Sequence, residues 1–415
     1  MGSGVDVTER PNETSLMSSP DPAPRALNAW PKSVQEKFET LTARQAALRA
    51  EVQRAQSDEA LTRARLSAAL MDALAARCEA EARARGGAMA HWRAQAISGQ
   101  RPARRNRYRR RAEKLVVRLG GGPLVVAASG LWLSGGRQVS AIAAYVGRGV
   151  DPAAQPHALF DQAFYLERYP DVAAAGLCPL VHYILQGGAE LRDPHPLFNA
   201  RFYVEHNRID LGETGLTPLE HYMRIGAFAG LDPHPLFRTD HYLTQALDLF
   251  GAREAPLAHF LRVGAASGLS PHPLFEPTYY ASQLGGEVAA NPLLHFLLEG
   301  SARGLKPNPL FDPAWFARTY PDFAGQEALT AFAWRGRDAG LSPGPWFDGG
   351  AHVAKGGPSG EGLDPLTDYL WGGAWRVGES APGLHTSAYL VAHPELAATG
   401  QTPLGHWAAR NPPGG

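Results

Sequence analysis

The pentapeptide PHPLF occurs three times, at residues 194–198, 233–237 and 271–275. Two variants continue the series, PNPLF at 307–311 and PGPWF at 343–347. Two prolines in five residues fix φ and disfavour a helix, so we interpret the segment as an extended structural connector. A connector that keeps the same sequence would set the same geometry at each occurrence.

The phenylalanine that ends this connector marks a repeat of 36 to 39 residues. The anchor position is occupied in turn by Phe160, Phe198, Phe237, Phe275, Phe311, Phe347 and Leu384. The first and last copies align without a gap, so that Tyr165 and His182 correspond to Tyr389 and His406. A fixed period of this length indicates a repeat architecture.

The sequence of each unit predicts two short helices. The first helix follows the anchor, with capping residues such as Asp161, and with Pro313 in the first turn after Asp312. The second helix opens at a proline in six units, at Pro179, Pro218, Pro256, Pro292, Pro365 and Pro403. It closes at a glycine that we expect to be left-handed, at Gly187, Gly226, Gly264, Gly300 and Gly336. Two-turn helices are unstable alone, so we predict an all-α, solenoid-like array of seven short helix-pair repeats over 151–410.

The part before the repeats divides into three segments. Residues 1–30 are rich in Pro, Ser, Asp and Glu, and this composition predicts a disordered tail. Residues 31–87 predict a long helix that ends at Gly86–Gly87. Its apolar residues follow a 3–4 spacing at Val34, Phe38, Leu41, Leu48, Val52 and Ala55, which predicts a coiled coil and a homo-oligomer through 34–85. The alternative is a single helix lying on the repeats. Residues 411–415 form a short tail.

The neck, residues 88–150, is first basic and then apolar. Its basic side chains are Arg101, Arg104, Arg105, Arg107, Arg109, Arg110, Arg111 and Lys114. The glycine-rich apolar stretch 115–149 follows them directly. This order predicts contact with an anionic membrane surface. Packing against the repeats, a nucleic-acid site and a membrane span are the alternatives, and no nucleic-acid-binding motif supports the nucleic-acid site.

The repeats carry histidines in the connectors (His195, His234, His272) and in the second helices (for example His182). Regularly spaced histidines can bind metal. However, Asn308 and Ala331 replace them in the fifth unit, and side chains that recur with the backbone period favour a structural hydrogen-bonding role. We therefore predict no metal site and no cofactor. We also find no catalytic motif.

Aromatic residues recur at one position of the first helices, at Tyr165, Tyr203, Tyr242 and Tyr280. Most of such a row should be core, but we consider it as a partner face for a glycan or a peptide.

Charge is distributed unevenly although the chain is formally neutral. Residues 32–114 contain 19 Lys and Arg against 9 Asp and Glu, whereas residues 151–415 contain 16 against 27. A basic part joined to an acidic part suggests different partners for the two. The first residues lack the pattern of a signal peptide. These features predict a cytoplasmic protein, peripheral on the inner membrane if the neck binds lipid.

The segment 159–198, LFDQAFYLERYPDVAAAGLCPLVHYILQGGAELRDPHPLF, resembles a repeat that accompanies glycosyltransferase domains in bacterial surface-polysaccharide proteins. The resemblance covers roughly 157–410 and implies a bacterial setting in cell-envelope glycan assembly. It supplies no catalytic residues. We therefore predict a non-catalytic scaffold or adaptor that binds a protein or glycan partner. The alternative is an accessory, substrate-holding component of a glycosyltransferase system.

Overall fold

The computed structural model describes residues 32–97, 108–118, 120–132, 139–252, 254–286, 289–354, 363–374, 379–381, 384–396 and 401–411. The predicted disordered tail 1–30 and the C-terminal tail from 412 onward lie outside these residues. The chain divides into two compact units, Met1–Leu66 and Ser67–Gly415. The described part is mostly helical with almost no strand, as the sequence predicts.

Helix α1 spans Lys32–Ile97. It continues through Gly86–Gly87, where we predicted that it would end. Its last turns are held by tertiary contacts with the repeats, which compensate for the low helix propensity of glycine. The Trp92 indole donates to the carbonyl oxygen of Ala227 at 2.8 Å, and its ring stacks on that of Phe228 and meets that of Phe250 edge-on. This end of α1 therefore matches the alternative of a helix lying on the repeats.

Three residues of the predicted seam of α1, all before residue 67, are exposed. Leu41, Leu48 and Val52 are 65%, 54% and 55% exposed. Further along, Met71 and Leu74 are buried in the core. Only the first part of the predicted 34–85 interface is thus available to a second copy of the chain.

Three short helices follow α1: α2 (Tyr108–Arg118), α3 (Gly122–Ser129) and α4 (Val139–Gly147). Helices α3 and α4 pack together, and they bury Val125, Val126, Leu131, Ile142 and Tyr145. The Tyr145 hydroxyl donates to Oε1 of Gln162 at 2.6 Å, which joins the neck to the first repeat. Among the described residues, no helix combines the length and the apolar character needed to cross a bilayer.

The first helices of the seven sequence units are Gln162–Arg168, Ala200–His206, Thr239–Leu243, Pro277–Ser282, Pro313–Thr319, Gly349–Ala354 and Thr386–Ala392. The predicted caps form: Asp161 accepts from the backbone amide of Phe164, and Asp312 accepts from that of Trp315. Short helical turns follow some of them, at Pro170–Ala174, Leu211–Thr214, Leu247–Leu249 and Pro321–Phe323.

The α-helical parts of the second helices are Pro179–His182, Pro218–His221, Pro256–His259, Pro292–His295, Ala328–Arg335, Pro365–Asp368 and Pro403–Arg410. Six of the seven open at the predicted proline. In five units the helix widens into a π-helical turn, at Tyr183–Gly187, Tyr222–Gly226, Phe260–Gly264, Phe296–Gly300 and Tyr369–Gly373. Ala227–Ala229 adds a last α turn in the second unit. Glu379–Ala381 and Leu384–His385 form a small antiparallel ribbon.

The glycines that we expected to be left-handed are not, since none of Gly187, Gly226, Gly264, Gly300 and Gly336 has a positive φ. Gly226 has φ −65°, because the chain stays helical there. A Cβ atom at Gly226 would overlap the hydroxyl of Tyr203, and Gly187, Gly264 and Gly300 approach a tyrosine hydroxyl in the same way. The requirement at this position is therefore space for a phenol group and not backbone freedom.

The left-handed residue lies four positions later. Gly230 has φ 75°, and the amide of Leu231 donates to the carbonyl oxygen of Gly226 at 2.9 Å, which is a Schellman end. Gly268, Gly304 and Gly340 adopt the same backbone conformation at the matching position. The first unit carries Leu191 there, with φ 55°.

Replacement of Leu191 with glycine should stabilise the protein. A side chain in the left-handed region costs about 1 kcal/mol, and the Leu191→Gly change removes that cost. Leu191 is partly buried against the core, so lost packing will offset part of the gain. Urea denaturation should show a higher midpoint for Leu191→Gly and a lower one for the reverse change Gly268→Leu, at a position where a Cβ atom meets nothing within 4 Å. A lower midpoint for both variants would contradict the prediction.

The connectors are turns and not extended segments. In the connector at 194–198, the amide of Phe198 donates to the carbonyl oxygen of His195 at 2.9 Å, with Pro196 in the second position of the turn. Neighbouring connectors are joined in register, since the amide of Asn199 donates to the carbonyl oxygen of Pro233 at 3.1 Å. The same link recurs in the other units, from Asp161 to Pro194, Arg238 to Pro271, Glu276 to Pro307 and Asp312 to Pro343.

Units three apart in sequence also touch, which the sequence does not indicate. The ring of Phe202 contacts that of Trp334 edge-on at 5.6 Å, and Arg335 lies 3.3 Å from Glu205. In the next pair of units, the Arg238 guanidinium lies over Trp371. The packing of the repeats is therefore not limited to sequence neighbours.

Candidate functional site

The tyrosines that we considered as a partner face are core residues. Tyr165, Tyr203, Tyr242 and Tyr280 are each 0% exposed, so they cannot line a binding surface. Each hydroxyl is hydrogen-bonded to Nδ1 of the second-helix histidine of its own unit. The pairs are Tyr165–His182, Tyr203–His221, Tyr242–His259, Tyr280–His295 and Tyr389–His406, at 2.5 to 3.0 Å. The pair joins the two helices of a unit across its interior.

Two units change both members of the pair together. The fifth unit has Phe316 and Ala331, so neither polar group is present. The sixth has His352 and Asp368, whose Nε2 and Oδ2 atoms lie 2.8 Å apart. A buried polar group without its partner is costly, whereas replacing both partners is cheap. Because the tyrosine and the histidine are replaced together, the sequence supports the structural role that we predicted for the second-helix histidines.

A double-mutant cycle on Tyr203 and His221 should reveal this pairing. Tyr203→Phe should cost about 2 kcal/mol, because His221 loses a buried partner. His221→Ala should cost about 3 kcal/mol, since it also leaves a cavity. The double variant, which reproduces the fifth unit, should cost about 1 to 2 kcal/mol less than the sum.

The control cycle combines Tyr203→Phe with His259→Ala in the next unit, whose effects should add. Equal coupling in the two cycles, measured by urea denaturation, would contradict a specific pair.

The connector histidines also act structurally. Nδ1 of His195 accepts a hydrogen bond from the amide of Leu197 at 3.0 Å, and His234 and His272 accept from the leucine at the same position. His157, in the matching segment PHALF at 156–160 before the first repeat helix, accepts in the same way from Leu159 and is a fourth connector histidine. In the fifth unit, Oδ1 of Asn308 accepts from Leu310 at 2.8 Å. Asparagine and neutral histidine thus offer an acceptor at the same place, which explains the exchange.

Burial keeps these imidazoles neutral. It lowers the pKa of His157 and of His195 to about 4 and the pKa of His234 to about 3. The pKa of His272 is also lowered well below its usual range, first by burial and then by the charge of Arg238. A neutral ring with its Nδ1 lone pair free to accept is the form that the turn requires.

The predicted basic contact residues are only partly described. Arg101, Arg104, Arg105 and Arg107 lie outside the described residues. Arg109, Arg110 and Arg111 belong to the backbone of α2, and their side chains lie outside the described part. Lys114 is exposed on the same helix. Anionic membrane contact by this segment stays a prediction.

The structure adds a candidate site that the sequence analysis missed. Arg85 and Arg93 of α1 and Arg238 of the third unit line a cleft of about 290 Å³, together with Asp232 and Asp240. Arg93 donates from Nε to the carbonyl oxygen of Ala229 at 2.8 Å. The cleft thus gathers two guanidinium groups from the basic part of the chain and one from the acidic repeats.

Trp371 of the sixth unit orients two of these arginines. The Arg85 Cζ atom lies 3.9 Å from the Trp371 ring centroid, and the Arg238 Cζ atom lies 4.6 Å from it. Such cation–π contacts fix the planes of the guanidinium groups. Arg238 also donates to both carboxylate oxygens of Asp240, at 3.1 and 2.8 Å.

The two aspartates neutralise the cleft only in part. Burial raises the pKa of Asp232 to about 6. Burial acts in the same direction on Asp240, but the adjacent Arg238 outweighs it and the pKa of Asp240 lies below its usual range. The lining carries three arginines and two carboxylates, and the carboxylate of Asp364 also acts on Arg238. Because burial raises the pKa of Asp232 and of Asp364 to about 6, the charge of this group becomes more positive as the pH falls below 6. Guanidinium groups in such a place suit a carboxylate or phosphate ligand.

One sequence signal could have pointed to this cleft. Trp334 and Trp371 occupy the same repeat position in the fifth and sixth units, and both lie beside an arginine. Their contacts with residues three units earlier, Phe202 for Trp334 and Arg238 for Trp371, depend on the tertiary structure.

Searches of protein families, of curated proteins and of solved structures find no match to the chain.

Proposed function

We propose that the protein is a non-catalytic scaffold that assembles through α1 and presents residues 151–410 as a solenoid-like array of seven helix-pair repeats. The resemblance of these repeats to those beside glycosyltransferase domains suggests a role in bacterial cell-envelope polysaccharide assembly. The recurrent histidines and tyrosines support a non-catalytic role, because internal hydrogen bonds already use them.

The observation that carries the proposal is the row of exposed apolar side chains on α1. Leu41, Leu48 and Val52 follow the 3–4 spacing of a coiled-coil seam, and each remains more than half exposed. Leaving these side chains in water is unfavourable by about 1 kcal/mol or more apiece. Pairing of the seam between copies of the chain would remove that cost.

Sedimentation equilibrium of the full chain tests the assembly. We expect a concentration-dependent oligomer for the native sequence and a monomer for Leu48→Glu/Val52→Glu, because two charges in the seam are not tolerated. Gln53→Glu/Ser57→Glu adds the same charge on the opposite side of the helix and should leave the oligomer intact. A native chain that stays monomeric at high concentration would refute assembly through α1.

The arginine cleft is the place where we propose that an acidic partner group docks. Its three guanidinium groups favour the carboxylates of an acidic polysaccharide or of an acidic peptide. Binding of a polyuronic acid, followed by calorimetry, should weaken about 10-fold in Arg93→Ala, since a charge-assisted hydrogen bond contributes about 1.5 to 3 kcal/mol. Arg83→Ala, which removes an exposed arginine of the same helix, should bind as the native protein does.

The same experiment separates this role from that of a substrate-holding component of a glycosyltransferase system. Binding of a sugar nucleotide in preference to the polyuronic acid would favour the second role, and its hydrolysis by the chain alone would contradict a non-catalytic protein.

A further inference from the structure

A group of metal-ligating side chains lies in the last unit, away from the arginine cleft. His393 and Glu395 follow the first helix, and His406 lies on the second helix. Each can supply one ligand atom, and these atoms all lie within 4.8 Å of one another. His393 Nδ1 is 3.1 Å from Oε1 of Glu395, and the rings of His393 and His406 are 4.8 Å apart between centroids.

The first unit shows what normally fills this place in the repeat. There Tyr169 and Asp171 stand at the positions of His393 and Glu395. The Arg192 guanidinium donates two hydrogen bonds to Asp171, each 2.8 Å long, and lies over the Tyr169 ring at 4.9 Å. The place therefore holds a cationic group in the first unit. In the last unit an imidazole replaces the phenol, which adds a metal ligand beside the carboxylate.

The hydrogen bond between Tyr389 and His406 orients the third ligand, His406. Nδ1 of His406 lies 2.8 Å from the Tyr389 hydroxyl, which leaves Nε2 to face away from the tyrosine. The third unit shows where that atom points: His259 uses Nδ1 for Tyr242, and its Nε2 lies 2.9 Å from Asp248, at the position of Glu395. A hydrogen bond to the far nitrogen of a ligating histidine fixes its ring, as in known metal sites.

A competing cation lies close by. Arg410 Nη1 is 2.6 Å from His406 Nδ1, and Arg410 is exposed at the end of its helix. Because it approaches the nitrogen that already faces Tyr389, it does not occupy the Nε2 side. Its charge will nevertheless weaken cation binding, so removing it should strengthen binding.

We propose that His393, Glu395 and His406 bind a divalent transition-metal ion, with Zn²⁺ as the best fit. Two imidazoles and one carboxylate are ligands that Zn²⁺ accepts, with water completing the coordination. Bond lengths near 2.1 Å require the ligand atoms to approach one another by about 1 Å. Glu395 is exposed and can turn toward the two rings. The bound ion would tie the two helices of the last unit together.

Titration of the full chain with Zn²⁺, without a histidine tag, tests the proposal by calorimetry. The informative variant is His393→Tyr, which restores the residue of the first unit and should keep the fold. We expect one ion per chain for the native protein and an affinity at least about 100-fold lower for His393→Tyr, since loss of even an outer partner costs 10- to 100-fold. Glu395→Gln should weaken binding in the same direction, and Arg410→Ala should tighten it.

The exposed histidine His385 provides the control, because His385→Asn should bind Zn²⁺ as the native chain does. Co²⁺ substitution gives an independent readout, as the visible absorption of the bound ion reports its ligands and should be lost in His393→Tyr. The proposal is overturned if the native chain binds no Zn²⁺, or if His393→Tyr with a native circular dichroism spectrum binds it with unchanged affinity and stoichiometry.

Discussion

Lowering the pH from 6.5 toward 4 should unfold the repeat region. The connector histidines are neutral in the folded protein, with pKa values of about 4 for His157 and His195 and about 3 for His234. In the unfolded chain the same groups titrate near pH 6.5. The unfolded state therefore binds more protons in this window, and each histidine removes about 1.4 kcal/mol of stability per pH unit. The contribution is complete above pH 6.5 and is lost as the pH falls.

Other buried groups modify the size of the effect. His241, whose pKa burial lowers to about 4, acts in the same direction as the connector histidines. Asp232 and Asp364 act against them, because burial raises both pKa values to about 6 and these groups gain protons in the folded state first. With His272 included, the histidines outnumber the aspartates, and the net loss is roughly 4 kcal/mol per pH unit.

Circular dichroism and urea denaturation between pH 4 and 7.5 test this prediction. The double variant His195→Asn/His234→Asn keeps the acceptor of the turn, as Asn308 does, but cannot titrate. Its stability should fall less steeply with acid, by about 2.7 kcal/mol per pH unit, and should be close to native at pH 7.5. Exchange of the exposed His385 for asparagine should leave the profile unchanged. An identical acid profile for the double variant would show that the connectors do not drive the transition.

Replacement of Gly226 with alanine should destabilise the protein by about 3 kcal/mol, from overpacking and from disruption of a buried hydrogen bond. The new methyl group would overlap the Tyr203 hydroxyl, which is 2.7 Å from Nδ1 of His221. Either the hydrogen bond breaks or the two helices of the unit separate. A glycine in a helix is otherwise improved by alanine, so the expected sign is opposite to that of helix propensity.

Gly87 supplies the matched control, because it is helical and a methyl group there meets nothing within 4 Å. Gly87→Ala should stabilise the chain by about 1 kcal/mol. Adding Tyr203→Phe to Gly226→Ala should recover part of the lost stability by removing the overlapping hydroxyl. If Gly226→Ala were as stable as the native protein in urea, the close approach would not be essential.

Local rules predicted the helices of the repeats well. Asp161 and Asp312 cap their helices, and a proline opens the second helix in six units, because these effects depend on neighbouring backbone groups alone. The same rules misassigned Gly226, since a helix-ending glycine and a glycine that makes room for a phenol have the same sequence signature. Gly86–Gly87 shows the reverse case, in which tertiary packing continues a helix that propensity would end.

The candidate site was less accessible to prediction. The recurrence of Tyr203 and its equivalents was visible, but the burial of the whole row follows from the packing of one helix against the other. The arginine cleft joins Arg85 and Arg93 of α1 to Arg238, and Trp371 contacts two of these arginines. These residues belong to different segments and share no local pattern. The His393 cluster was hidden because only one of its three members departs in chemistry from the repeat.

By itself, the sequence determined the period of the repeat, the starts of most of its helices and the places where connectors interrupt them. These features arise from contacts within a few residues, which are the same wherever the same short sequence recurs. Only the tertiary structure decided which glycine is left-handed, which aromatic rings are buried and which units meet three repeats apart. Those outcomes depend on the volume left between helices that are distant in sequence, and a local pattern does not encode that volume.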